Sequence, residues 1–193
     1  MQKFTEAQLE QAFAELIAQE GYVHVLGEEL NRTAEDVLIE EDLRSYLHKR
    51  YAHKNITKGE IETILFDLKR LPASDLYETN KIIMKRLRDG FIIKREDYTQ
   101  KDFHVYLIDY NGLEKQVDST DVETIVSDPG AGYNADANIY KFVTQMKIVE
   151  NHPAGRIPDG ILYINGLPLV VFEFKTAIQE DCSIHDAFKQ ITT

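Results

Sequence analysis

The stretch GILYINGLPLVVFEFK, residues 160–175, constrains the fold of this chain more than any other. Two alternating apolar runs flank Asn165-Gly166, and that dipeptide is a strong signal for a β-hairpin. Ahead of it, HVYLIDY, DVETIV and NIYKFVTQMKIVE also carry the period of two that marks strands, with the Gly-, Asp- and Asn-rich loop DPGAGYNAD between the last two. The N-terminal half has helical periodicity. Thr5 and Gln8 form a capping box, Leu9, Phe13, Leu16 and Ile17 form an apolar face, and Gly21 offers a stop before a short strand, YVHVL. Helical text then runs from about Ala34 to Gly90. It breaks at Thr57, a likely-typed cap residue, and at Pro72, and it restarts at Ser74. A last helix is expected from about Ser183.

These elements predict an α/β fold with a mixed central β-sheet flanked by helices and a small helical subdomain. A single domain over residues 1–193 is expected, the subdomain at about 34–90 and the core at 1–33 and 100–193. With 43% hydrophobic and 28% charged residues the chain is ordinary globular material. One cysteine, Cys182, excludes a disulfide framework and paired-cysteine zinc sites, and points to a reducing, cytoplasmic setting. No apolar run is long enough for a bilayer, so no membrane partner is expected. The formal charge of −11 argues against a free-standing nucleic-acid binder, whose affinity rests on clustered Lys and Arg.

The chemistry concentrates in the hairpin. Asp159 precedes its first strand, and Glu173-Phe174-Lys175 ends its second. Residues two apart share a face, so Glu173 and Lys175 project together while Phe172 and Phe174 face the other way. A loop with an odd number of residues would set Asp159 beside Glu173; a strict two-residue turn would set Phe172 there instead. Two carboxylates brought together repel unless a cation sits between them, and Mg²⁺ suits such oxygen ligands, with Mn²⁺ able to substitute. The Phe174 carbonyl is a candidate third ligand, and Lys175 could orient or help deprotonate an attacking water. Glu10 lies near the apolar face of the first helix and is a candidate third acid. The six histidines form no ligand set, since His48 and His53 sit about 140° apart on a helix. No phosphate-binding G-x-x-x-x-G-K-[ST] is present. RSYLHKRYAHK, from Arg44 to Lys54, is the one basic cluster interleaved with aromatics, suited to a DNA backbone or to a solvated helix face.

The segment RIPDGILYINGLPLVVFEFK resembles the nuclease signature at the N-terminus of the R (restriction) subunit of type I restriction-modification enzymes, within the PD-(D/E)xK nuclease superfamily. The resemblance extends over nearly the whole chain, through FTEAQLEQAFAELIAQEGY, LRSYLHKRYAHKNIT, LYETNKIIMKRLRDG and NIYKFVTQMKI. Its most specific part is NGLPLVVFEFK after Pro158-Asp159. It implies a restriction-endonuclease-like core in which Asp159 and Glu173 are metal ligands and Lys175 is the catalytic lysine. Glu10 matches the helix glutamate, and Gln190 the start of a Q-x-x-x-Y motif whose tyrosine would fall one residue past the end. Gly160 departs from the more apolar residue of the family pattern, which implies a looser strand. The resemblance further implies Mg²⁺-dependent endonucleolytic hydrolysis of DNA in an N-terminal fragment of a longer subunit. ATP would be used only by downstream motor domains, and double-stranded DNA and the methyltransferase and specificity subunits would be the partners. A non-catalytic docking module that joins a motor to those subunits is the alternative. Convergence of Asp159, Glu173 and Lys175 distinguishes the two.

Overall fold

A computed structural model describes residues 5–72, 74–110, 137–149 and 155–175. The chain divides into two compact units, one made of residues 1–39 and 140–193, the other of residues 40–139. The expected strand at 121–126, the loop at 128–136 and the helix from Ser183 lie outside the described residues.

In the first unit, α1 (Glu6–Gln19) starts at Thr5, whose hydroxyl accepts from the Gln8 N–H while the Gln8 side chain accepts from the Thr5 N–H. This reciprocal box satisfies two of the backbone donors that a helix start leaves unpaired. Gly21 follows at φ +89°, a left-handed turn that sends the chain into β1 (Val23–Leu26). The sheet is completed by β4 (Tyr140–Thr144), β5 (Gly160–Ile164) and β6 (Leu167–Phe172), in the order β1-β4-β5-β6. β1 runs parallel to β4, and β4, β5 and β6 alternate in direction. The fold is therefore α/β with a mixed sheet.

The two faces of this sheet are both apolar. Phe13 of α1 meets Phe142, Phe172 and Phe174 at ring-centroid distances of 5.4, 4.6 and 5.3 Å. On the opposite face Val143, Met146, Ile161 and Tyr163 bury against Ile39. Tyr163 donates its hydroxyl to the Val37 carbonyl at 2.9 Å, which satisfies the polar tip of a fully buried ring. Gly160 does not loosen β5. A Cβ there would stand 2.4 Å from the Phe142 ring, so the glycine makes the space that the ring fills.

The second unit contains α2 (Glu40–Tyr51), α3 (Lys58–Lys69), α4 (Leu76–Asp89) and an antiparallel ribbon of β2 (Phe91–Ile93) with β3 (Phe103–Val105). Helical periodicity suggests a start near Glu35 for the first of these, but α2 begins at Glu40. Thr33 and Asp36 are bound to each other in a side-chain-stabilised turn just before it. Thr57 caps α3 as expected, and α4 is capped by Asp75 rather than Ser74. Arg95 and Glu60 form a buried ion pair at 2.9 Å. The Arg95 guanidinium also donates to the carbonyls of Lys54 and Asn55.

Candidate active site

The turn between β5 and β6 is two residues long, with Asn165 at φ +53° and Gly166 at φ +76°. Positive φ at both central positions is the type I′ geometry, which follows the twist of paired strands. Left alone, this turn would align Phe172 with Asp159. It does not, because the ladder slips by one. Tyr163 pairs with Pro168, but Leu162 pairs with Val170, so Leu169 is an extra residue in β6. Pro168 has no N–H to give to a ladder, and a bulge beside it costs little pairing. From there Gly160 faces Phe172, and the next positions outward are Asp159 and Glu173. The odd residue that the site requires is thus supplied by a bulge inside the strand, and not by a longer loop.

This register puts the hairpin's charged residues together. The Phe174 N–H donates to Asp159 Oδ2 at 2.5 Å, tying the aspartate to the opposite strand. Lys175 Nζ meets Glu173 Oε1 at 3.0 Å, with the lysine side chain 25% and the glutamate 14% exposed. The hydrogen bond from Glu173 raises the Lys175 pKa, and the charges of Glu6 and Asp159 add to the effect. Lys175 is therefore an ammonium at neutral pH. Among the described residues, no three His, Cys, Asp or Glu side chains gather as a ready metal-holding group. The hairpin offers two carboxylates and a backbone carbonyl instead.

Glu10 is half-buried on α1, one turn beyond the exposed Glu6. Its Oε1 accepts from the Gln145 side-chain amide at 3.3 Å. Glu10 and Gln145 line a cleft of about 250 Å³ with Gln11, Ala14, His24 and Thr144. His24 Nε2 and Thr144 Oγ1 are 2.9 Å apart in its wall. Gln145 had no signal in the sequence: it is one polar residue among several at the end of an apolar strand, and only the register reveals its position. Gln190 lies outside the described residues.

The basic cluster from Arg44 to Lys54 is engaged within its own unit. Arg44 binds Glu40 and Glu62, both at 2.6 Å, and Arg50 binds Asp109 at 3.2 Å. Tyr46 and Tyr51 are buried, with their hydroxyls near the Tyr106 carbonyl. The interleaved aromatics are core residues, and two of the arginines serve ion pairs. Among the described residues no helix is long and apolar enough to cross a membrane.

Comparison with known proteins agrees with the hairpin signature. The family model described as Type I restriction enzyme R protein N terminus (HSDR_N) matches residues 3–193. The type I restriction enzyme HindI endonuclease subunit of Haemophilus influenzae is 29% identical over 157 residues, covering 81% of this chain. The match spans 13% of that relative's own length. The chain belongs to the family of type I restriction enzyme R protein N-terminal regions.

Proposed function

We propose that this chain is the nuclease domain of an R protein and hydrolyses DNA phosphodiester bonds with water, assisted by Mg²⁺ and without a covalent intermediate. The observation that carries this reading is the bulge at Leu169, which brings Asp159 level with Glu173 and leaves Lys175 on the same strand end. A bulge next to a reactive centre, re-aiming side chains, is a recurrent device. The name of the Haemophilus influenzae relative, an endonuclease subunit, supports the same reading.

The donor chemistry fits a hard divalent ion, because the converging groups are oxygens with no imidazole or thiolate among them. Asp159, Glu173 and the Phe174 carbonyl would hold it, with Glu10 reaching in from α1. Bound there, the ion supplies positive charge to the phosphate oxygens and acidifies a water. The chain's own groups do the rest. The Phe174 N–H fixes the orientation of Asp159 before any ligand arrives. The Lys175 ammonium, held by Glu173, stands ready to stabilise charge that develops on the attacked phosphate and to orient the water. Gln190 would orient the site or contact DNA.

In the longer R protein, ATP-driven translocation would deliver DNA to this site, and methyltransferase and specificity subunits would supply DNA affinity. An acidic domain of charge −11 then needs little affinity of its own.

The experiment is plasmid cleavage by the R protein assembled with its partner subunits, with ATP turnover measured on the same preparation. Lys175→Ala should reduce cleavage by at least about 100-fold while ATP turnover continues, because the interaction it removes forms mainly in the transition state. Cleavage at the wild-type rate, or loss of both activities in a protein that still assembles, would overturn the assignment.

A further inference from the structure

We propose that Gln145 is a positioning residue of this site, which holds the Glu10 carboxylate in line with Asp159 and Glu173. The inference rests on the nuclease reading and extends it to a residue outside the D…E-x-K pattern.

Register is the first support. β1 pairs with β4 so that Leu26 faces Thr144, and β4 pairs with β5 so that Val143 faces Ile161. Counting on, Gly27, Gln145, Asp159 and Glu173 fall in one row across the end of the sheet. Gln145 thus stands level with Asp159, one strand over. The second support is the hydrogen bond from its amide to Glu10 Oε1, which joins α1 to that row.

The third is its backbone. Gln145 has φ +54°, a left-handed conformation uncommon for residues other than Gly, Asn and Asp. Its neighbours impose it: a Cβ on Gly27 would lie 2.4 Å from the Met146 Cα and 2.8 Å from the Gln145 carbonyl oxygen, so the two chain segments are in close backbone contact. Backbone alone does not account for the residue type here, because glycine or asparagine would adopt this φ more readily. Glutamine adds a long amide that reaches Glu10. The amide donates to one carboxylate oxygen and leaves the carboxylate its charge. A lysine at this place would neutralise it, and a shorter asparagine would fall short by one methylene.

Glycine at this position separates the two roles, since it favours a positive φ and removes only the side chain. On the chain itself, Mn²⁺ binding is measured by calorimetric titration and folding by thermal unfolding. Gln145→Gly should unfold at or above the wild-type temperature and bind Mn²⁺ roughly 10-fold more weakly, the usual scale for a residue that orients a ligand. Glu10→Gln should weaken binding by at least as much, and the double variant should be no worse than Glu10→Gln alone, because the amide acts through that carboxylate. Wild-type affinity in Gln145→Gly, or additive losses in the double variant, would overturn the positioning role. Asp159→Ala serves as the reference. If it abolishes Mn²⁺ binding while Gln145→Gly does not change it, the inference about Gln145 fails alone. If Asp159→Ala leaves binding unchanged, the nuclease reading fails and this inference falls with it.

Discussion

An aspartate that accepts a backbone hydrogen bond from the neighbouring strand is aimed before any ligand arrives. Asp159 is held in this way by Phe174, and Glu173 is held by Lys175. The pairing with Lys175 also lowers the repulsion that two converging carboxylates would otherwise suffer. Removing the Glu173 charge should therefore change stability little. Lys175 keeps partial contact with water, and a half-exposed pair is worth little in water. Glu173→Gln is expected to shift unfolding stability by less than about 1 kcal/mol, read by urea titration, while cleavage is lost. A loss of several kcal/mol would mean that the carboxylate is there to hold the fold.

At the scale of elements, the hairpin shows what a sequence discloses and what it withholds. Asn165-Gly166 announces the turn, and the alternating runs on either side announce β5 and β6. The bulge at Leu169 is not announced, since an extra residue in an apolar run leaves the composition of the run unchanged. It is nonetheless the feature that decides which residue meets Asp159. Thr5 and Thr57 mark their helices legibly because a cap is a local interaction between residues three apart. β2 escapes notice because three residues after a helix and its glycine carry too short a pattern. Gly160 reads as a weak strand residue until the Phe142 ring above it is seen. Adding a methyl group there should overpack the aromatic layer under α1. Gly160→Ala is expected to destabilise the chain by about 1–3 kcal/mol in chemical unfolding, with reduced Mn²⁺ affinity because Asp159 is its neighbour.

For the molecule as a whole, the two units rest on different interactions. The sheet unit depends on its two apolar layers, with few ionised groups inside. The other unit buries a charge pair, Glu60 with Arg95, side chains 2% and 3% exposed. Glu60 also accepts from the backbone N–H groups of Thr57 and Glu96, so the cap of α3 and the chain before β3 share one carboxylate. Glu60→Gln would leave a buried guanidinium without its counter-charge. It should cost about 3–5 kcal/mol, measured by urea unfolding followed through tyrosine fluorescence. Tyr163 couples the sheet unit to pH, because burial raises its pKa above the ordinary tyrosine value. A raised folded-state value means the unfolded chain loses the proton first, so stability is constant below about pH 10 and falls as pH rises beyond it. Tyr163→Phe should flatten that alkaline loss, observed as a smaller drop in melting temperature between pH 9 and pH 11, to be compared at about equal ionic strength. The central claim, that the hairpin end is a divalent-ion site, is tested most directly by crystals soaked in Mn²⁺ and measured at an X-ray energy where manganese scatters anomalously. The account predicts an anomalous peak between the carboxylates of Asp159 and Glu173, about 2.0–2.3 Å from their oxygens and beside the Phe174 carbonyl, and its absence in Asp159→Ala crystals. A fully soaked wild-type crystal with no peak there, or with the same peak in Asp159→Ala, would contradict it.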